Sequence, residues 1–208
     1  MNKFKYVTLL GFSSLLLAAC GESSDVTVES NDGESTATEE VSSEAESSEQ
    51  VSEVGKRSNP VALGDEATWT VLYSDADYEP LEGKITTKIS NVVRGDEALT
   101  LLKADNPYNE AAPDGYEWAI FDVSLTLVEG SEDDPFNTSV VSITPIASDG
   151  SEVAQNDYAT FADGTDFGYK DLYKGGTDSG KVGLIVPVED ETLIELTDWN
   201  TSVFYSIK

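Results

Sequence analysis

The chain has a single cysteine, Cys20, placed where an apolar run gives way to acid and serine in "LLLAACGES", residues 15–23. A lone thiol at that junction is the residue whose placement most needs explaining, and the rest of the sequence offers little comparable chemistry. The 208 residues contain no histidine, which removes the side chain most used for proton transfer near neutral pH and the commonest transition-metal ligand. Ser-His-Asp, Cys-His and His-based zinc arrangements therefore cannot be assembled. Carboxylates are abundant, 40 Asp plus Glu against 12 Lys plus Arg for a formal charge of −28. Two facing acids could hydrolyse a glycosidic bond, yet no spacing in the sequence pairs any two of them. "SDADYEP" sets Asp75, Asp77 and Glu79 at alternate positions like the start of a calcium loop. Pro80 then stands where that loop needs glycine and Thr86 where it needs glutamate. "SEDDP" (131–135) and "ADGTDFG" (162–168) read first as turns, though two such loops brought together could hold a hard cation weakly. The expectation is no metal site, no cofactor and no enzymatic activity. The charge also sets the chain against nucleic acid as a partner, since phosphate would be repelled.

Around Cys20 the sequence is ordered like an export signal. Lys3 and Lys5 form a positive start, Tyr6 to Leu17 an apolar run, and Ala18 and Ala19 supply the small residues a signal peptidase requires. The run is shorter than the roughly 20 apolar residues of a membrane span, and no basic stop-transfer cluster follows it. Leu17-Ala18-Ala19-Cys20 resembles the lipobox of bacterial lipoprotein precursors. That resemblance implies cleavage between Ala19 and Cys20, a diacylglyceryl thioether on Cys20, and membrane attachment through it. Two acyl chains, at about 0.8 kcal/mol per buried methylene, hold stably where one is marginal. A retained anchor helix, or plain secretory cleavage that frees the thiol, are the alternatives. With one cysteine, no intrachain disulfide can form.

From Gly21 to Gly55 the composition turns to Ser, Glu, Thr and Asp, with 11 acidic residues and no basic one. Such a segment buries too little apolar surface to offset the entropy of ordering it. Three regions follow: a signal peptide at 1–19, a lipidated cysteine and disordered acidic tether at 20–56, and a folded domain at 57–208. A flexible tether of this length would have an r.m.s. span of roughly 30 to 36 Å. It fits a thick-walled, Gram-positive cell surface.

The folded part is patterned with period two. In "GYEWAIFDVSLTLVE", Ala119, Phe121, Val123, Leu125 and Leu127 share one face, and Trp118, Ile120, Asp122, Ser124 and Thr126 the other. "ATWTVLY", "GKITTKISNVV", "NTSVVSITPIAS", "GKVGLIVPVE" and "TSVFYSIK" read as further strands, Asp149-Gly150 as a turn, and Pro187 as a mark of an edge or strand end. Only "GDEALTLLKAD" has the spacing of a short helix. The pattern predicts an all-β, antiparallel, immunoglobulin-like β-sandwich with at most one short helix.

"ADNPYNEAAPDGYEWAIFDVSLTL", residues 104–127, is similar to a turn and strand of the telokin-like, immunoglobulin-like domain of uncharacterised bacterial lipoproteins. That group is related to the mycobacterial immunoprotective extracellular protein. Asn106, Asn109, Pro113, Gly115, Tyr116 and Glu117 carry the likeness, and "YKGGTDSGKVGLIVP" resembles the group's Gly-rich loop and penultimate strand. The resemblance implies a sandwich fold and an extracytoplasmic place, and no reaction.

Aromatic residues are the remaining candidates: Tyr78, Tyr108, Tyr116, Trp118, Tyr158, Phe161, Phe167, Tyr169 and Tyr173, several of them in predicted loops. Exposed Tyr and Trp are what interfaces use. Trp118, on the face of its strand opposite the apolar one, is the candidate recognition residue. The expected function is a membrane-anchored binding module on the extracytoplasmic face of the cell membrane, with an envelope or host protein as partner. A spacer, or a protein that binds a small ligand or cation, is the alternative.

Overall fold

The computed structural model describes residues 26–29 and 54–208. Three strands that the sequence patterns predict form its backbone: β2 (Glu66–Ser74), β3 (Pro80–Arg94) and β4 (Tyr116–Glu129). Between the last two lies α1 (Gly95–Asp105), whose first turn carries Asp96 and Glu97, favourable against the positive helix N-terminus. Short β5 (Phe136–Asn137) pairs with β7 (Asp171–Leu172), and a 3-10 turn at Thr138–Val140 leads into β6 (Ser142–Ile146). β8 (Thr177–Pro187), β9 (Leu193–Thr197) and β10 (Ser202–Ser206) complete the chain.

A further strand, β1 (Thr27–Glu29), pairs antiparallel with β2, Thr27 opposite Thr68 and Glu29 opposite Glu66. This corrects the reading of 20–56 as one uninterrupted tether. Val-Thr-Val alternates like a strand, and Val26 and Val28 pack against the main core. The packed part also begins slightly before residue 57, since Val54 joins the same core. Other residues of the proposed signal and tether, Ala19 and Cys20 among them, lie outside the described residues.

The architecture is an antiparallel β-sandwich. One sheet runs in the order β1-β2-β3-β4-β8 and the other β10-β9-β6. β4 presents Ala119, Phe121, Val123, Leu125 and Leu127 inward, meeting Ile194, Leu196, Val203 and Tyr205 of the smaller sheet. Polar groups in this core are satisfied. Trp69 Nε1 donates to Thr87 Oγ1 at 2.9 Å, the Thr87 and Tyr205 hydroxyls lie 2.7 Å apart, and Tyr205 donates to the Thr87 carbonyl at 2.8 Å. Burial pushes the Tyr205 phenol well above its usual range.

The outer face of β4 departs from what alternation alone suggests. Near Ser90 and Val93 the β3–β4 register shifts by a bulge, with Asn91 at φ 52°, and Val93 then pairs with Ile120 on the outer face. There α1 lies down on the sheet, and Ala98 and Leu102 close over Trp118, Ile120 and Ile185 as a second small core.

Candidate functional site

Trp118 is 3% exposed. Its ring lies under α1, and its Nε1 donates to the Glu110 carbonyl at 2.9 Å. The assignment of Trp118 as a recognition surface is therefore corrected: the second face of β4 is covered by the helix, and Trp118 is a core residue. The acidic strings likewise turn inward on their own loops. Asp75 accepts from the N–H of Asp77 and of Glu79, and Asp134 from the Ser131 hydroxyl. Among the described residues no three carboxylate, thiol or imidazole groups gather in a metal-binding arrangement.

The residues that do converge lie at the opposite edge of the sandwich from β1. There β8, the edge of one sheet, and β6, the edge of the other, leave a cleft of about 660 Å³ whose wall is the 155–171 segment. Tyr158, Phe161, Phe167, Tyr169, Asp166 and Lys181 line it. Tyr158 is 79% exposed and Tyr169 83%. Lys181 Nζ stands 5.9 Å over the Phe161 ring and 3.3 Å from Asp105 Oδ2 at the end of α1. This places the only cation of the cleft lining against an aromatic face, a favourable contact.

Two glycines let the wall come so close. A Cβ on Gly180 would fall 2.4 Å from the Asp166 carbonyl carbon, and one on Gly183 2.6 Å from Ala159 Cβ. The wall then hydrogen-bonds to the β8 edge: Phe167 N–H donates to the Lys181 carbonyl at 3.0 Å, and Lys181 N–H to Thr165 at 2.8 Å. Further along, the Gln155 amide does a strand's work, accepting from Ile185 N–H at 2.8 Å and donating to the Ile185 carbonyl at 2.9 Å.

The wall is pinned at its far end by Asp178, whose carboxylate has no exposure. It accepts from the Thr138 hydroxyl at 3.1 Å, Gly168 N–H at 3.0 Å and Lys170 Nζ at 2.6 Å. A buried carboxylate with three donors is satisfied where a bare one would be costly. Asn109, singled out in the sequence, does comparable work, donating to the carbonyls of Leu102 and Thr160 and accepting from Thr160 N–H. It ties the wall to the turn after α1.

What remains open in the cleft is backbone. Strand main-chain groups alternate sides, and the bonds above show Lys181 and Ile185 turned away from β4, so Gly183 between them is turned the same way. On the facing edge Val141 N–H donates to Thr138 and the Pro145 carbonyl accepts from Val153, both away from β9. Ile143, between them, is likewise turned outward. Among the described residues neither Gly183 nor Ile143 makes a backbone hydrogen bond outside its own sheet. The cleft thus offers main-chain donors and acceptors on two walls and aromatic rings around them.

The aromatic content of this site was legible: Tyr158, Phe161, Phe167 and Tyr169 are all candidates from sequence. Tyr108 and Tyr173 are exposed but do not line it, and Tyr116 borders a smaller hollow beside Trp118. Trp199 is the aromatic that sequence reasoning missed. It is 83% exposed at the turn between β9 and β10, with φ 74°.

No family model matches the chain, and no curated protein matches it significantly. Among solved structures it is similar to MPT63, a secreted protein from Mycobacterium tuberculosis, at 11% identity and a TM-score of 0.44, covering 71% of this chain and 97% of that one. It is also similar to an uncharacterized β-sandwich protein from Clostridium difficile 630, at 10% identity and a TM-score of 0.39, covering 72% of this chain and 95% of that one.

Proposed function

We propose that this protein is a lipoprotein of the extracytoplasmic membrane surface, held through Cys20, whose sandwich binds an extended segment of a protein partner in the β6–β8 cleft. The observation that carries the reading is the pair of outward backbone positions, Ile143 and Gly183, on facing edges of one aromatic-lined cleft. An edge strand accepts an added strand through main-chain hydrogen bonds, and neighbouring pockets read its side chains. Tyr158 and Tyr169 supply large, stiff contact area of the kind that dominates interfaces. The acidity of the chain, formally −28 overall, favours basic segments and disfavours nucleic acid. The role is binding, with no reaction assigned.

The lipid anchor is supported by the order of Lys3, Lys5, the apolar run, Ala19 and Cys20. A second reading is favoured by the cleft's volume, which falls in the range of about 300–1,000 Å³ used by small-molecule sites: a small, partly aromatic ligand. Affinity capture from envelope extract with the chain from Cys20 onward, beside Tyr158→Ala and Tyr169→Ala variants, tests the first reading. A partner held by the parent and released by both folded variants supports it. Capture indifferent to both changes would remove the cleft as the site.

A further inference from the structure

We infer that the end of the sandwich carrying Leu72, Tyr78 and Trp199 rests on the phospholipid bilayer in which Cys20 is anchored. The inference rests on the lipid-anchor reading above, and on where the described chain starts. β1 runs antiparallel to β2, so the chain upstream of Val26 enters from the side on which β2 runs to Ser74 and its turn. A Cβ on Gly55 would lie 3.0 Å from Val26 Cγ1 and 3.4 Å from Val203 Cγ1, which sets Val26 beside the start of β10. Only Gly21–Asp25 separate Val26 from Cys20. At roughly 3.6 Å per residue at most, Cys20 is within about 22 Å of Val26. The stretch of β2 from Trp69, next in register after Thr68, to Ser74 already covers about 17 Å at roughly 3.3 Å per residue. A lipid on Cys20 therefore holds this end of the domain at the membrane surface.

That end is built of four turns, β2–β3, β4–β5, β7–β8 and β9–β10, and it presents the side chains an interface would take. Tyr78 is 89% exposed and Trp199 83%, with Leu72 also exposed. Both rings sit on residues of positive φ, 65° and 74°, where a bulky side chain is rare. Both turns are held firmly. Asp198 is buried and accepts from the N–H groups of Leu72, Asn200 and Thr201, and Asp75 braces the turn of Tyr78. Trp and Tyr favour the headgroup level, where the ring is in apolar surroundings and the polar atom stays wet. Asp75, Asp77 and Glu79 flank Tyr78, so a neutral headgroup layer is preferred, and anionic lipid weakens the contact in a way salt relieves. Seated this way, the cleft, at the opposite edge from β1, opens sideways along the membrane.

The single thiol makes the test direct. The chain from Cys20 onward is coupled through that thiol to a maleimide lipid in phosphatidylcholine vesicles, with and without brominated acyl chains. Trp69 and Trp118 are buried, so the emission removed by Trp199→Phe reports the exposed ring. Bromine quenching of that component, with a blue shift on coupling and a smaller effect when phosphatidylglycerol is added at low salt, is expected. A Trp199 component that bromolipid leaves unchanged would overturn the inference. Radiolabelled palmitate incorporation in cells, compared with Cys20→Ser, reports the anchor separately. Quenching without incorporation would keep the docking surface and remove the natural anchor.

Discussion

Replacing Trp118 by alanine separates a core residue from a recognition residue. The ring is 3% exposed, packed under Ala98 and Leu102 of α1 and against Ile120 and Ile185. Its removal loses the burial of a large aromatic and opens a cavity between helix and sheet, together about 3–5 kcal/mol for Trp→Ala in a core. The indole bond to the Glu110 carbonyl goes as well. For a domain of this size each kcal/mol lowers Tm by about 2–4 °C, so a fall of about 6–20 °C is expected. Trp118→Phe keeps most of the packing and loses the hydrogen bond, worth about 1 kcal/mol, and should melt between the two. Thermal unfolding followed by far-ultraviolet circular dichroism is the assay. An alanine variant that melts with the parent yet fails to capture a partner would refute the packing argument and return Trp118 to the surface.

Further outcomes follow from the same structure. Gly180→Ala drives a methyl into the Asp166 backbone and should cost about 1–3 kcal/mol by overpacking, with weaker partner capture because the cleft wall is displaced; equal melting and capture would contradict the close approach. Tyr205→Phe removes the hydroxyl that joins the sheets, while Thr87 Oγ1 keeps its bonds to Trp69 Nε1 and the Ala67 carbonyl, so the loss should be about 0.5–1.5 kcal/mol in chemical denaturation. Because the folded phenol ionises above its unfolded value of 10.0, the parent should lose stability as pH rises past 10 while the unfolded phenol ionises and the folded one does not. The phenylalanine variant should show a shallower loss there, and parallel curves would contradict the burial argument.

Most of the sheet was legible because one face of each long strand is apolar and the other is not. β4 shows this from Phe121 to Leu127, and the bounds of α1 follow from "GDEALTLLKAD". What alternation cannot state is whether a later element returns to cover the second face, and Trp118 fell to that ambiguity. β1 was missed because Val-Thr-Val is embedded in acid and serine, and its pairing partner is far along the chain. β9 was missed as well, and with it the "DWN" turn that presents Trp199. The backbone openings at Ile143 and Gly183 depend on strand order and parity, not on side chains. Their one trace in sequence is the pair of glycines in "SGKVG", which a flat approach of another segment requires.

The central claim is the proposal that an extended partner segment bonds the main chain of Ile143 and Gly183, the positions left open between bonded neighbours on the two facing edges. Amide hydrogen exchange of the chain from Cys20 onward, free and with a captured partner, tests it at Ile143 and Gly183. The account predicts that both amides slow markedly on binding, while those of Leu125 and Leu127 in the core do not change. Protection elsewhere, with Ile143 and Gly183 exchanging as in the free protein, would contradict it.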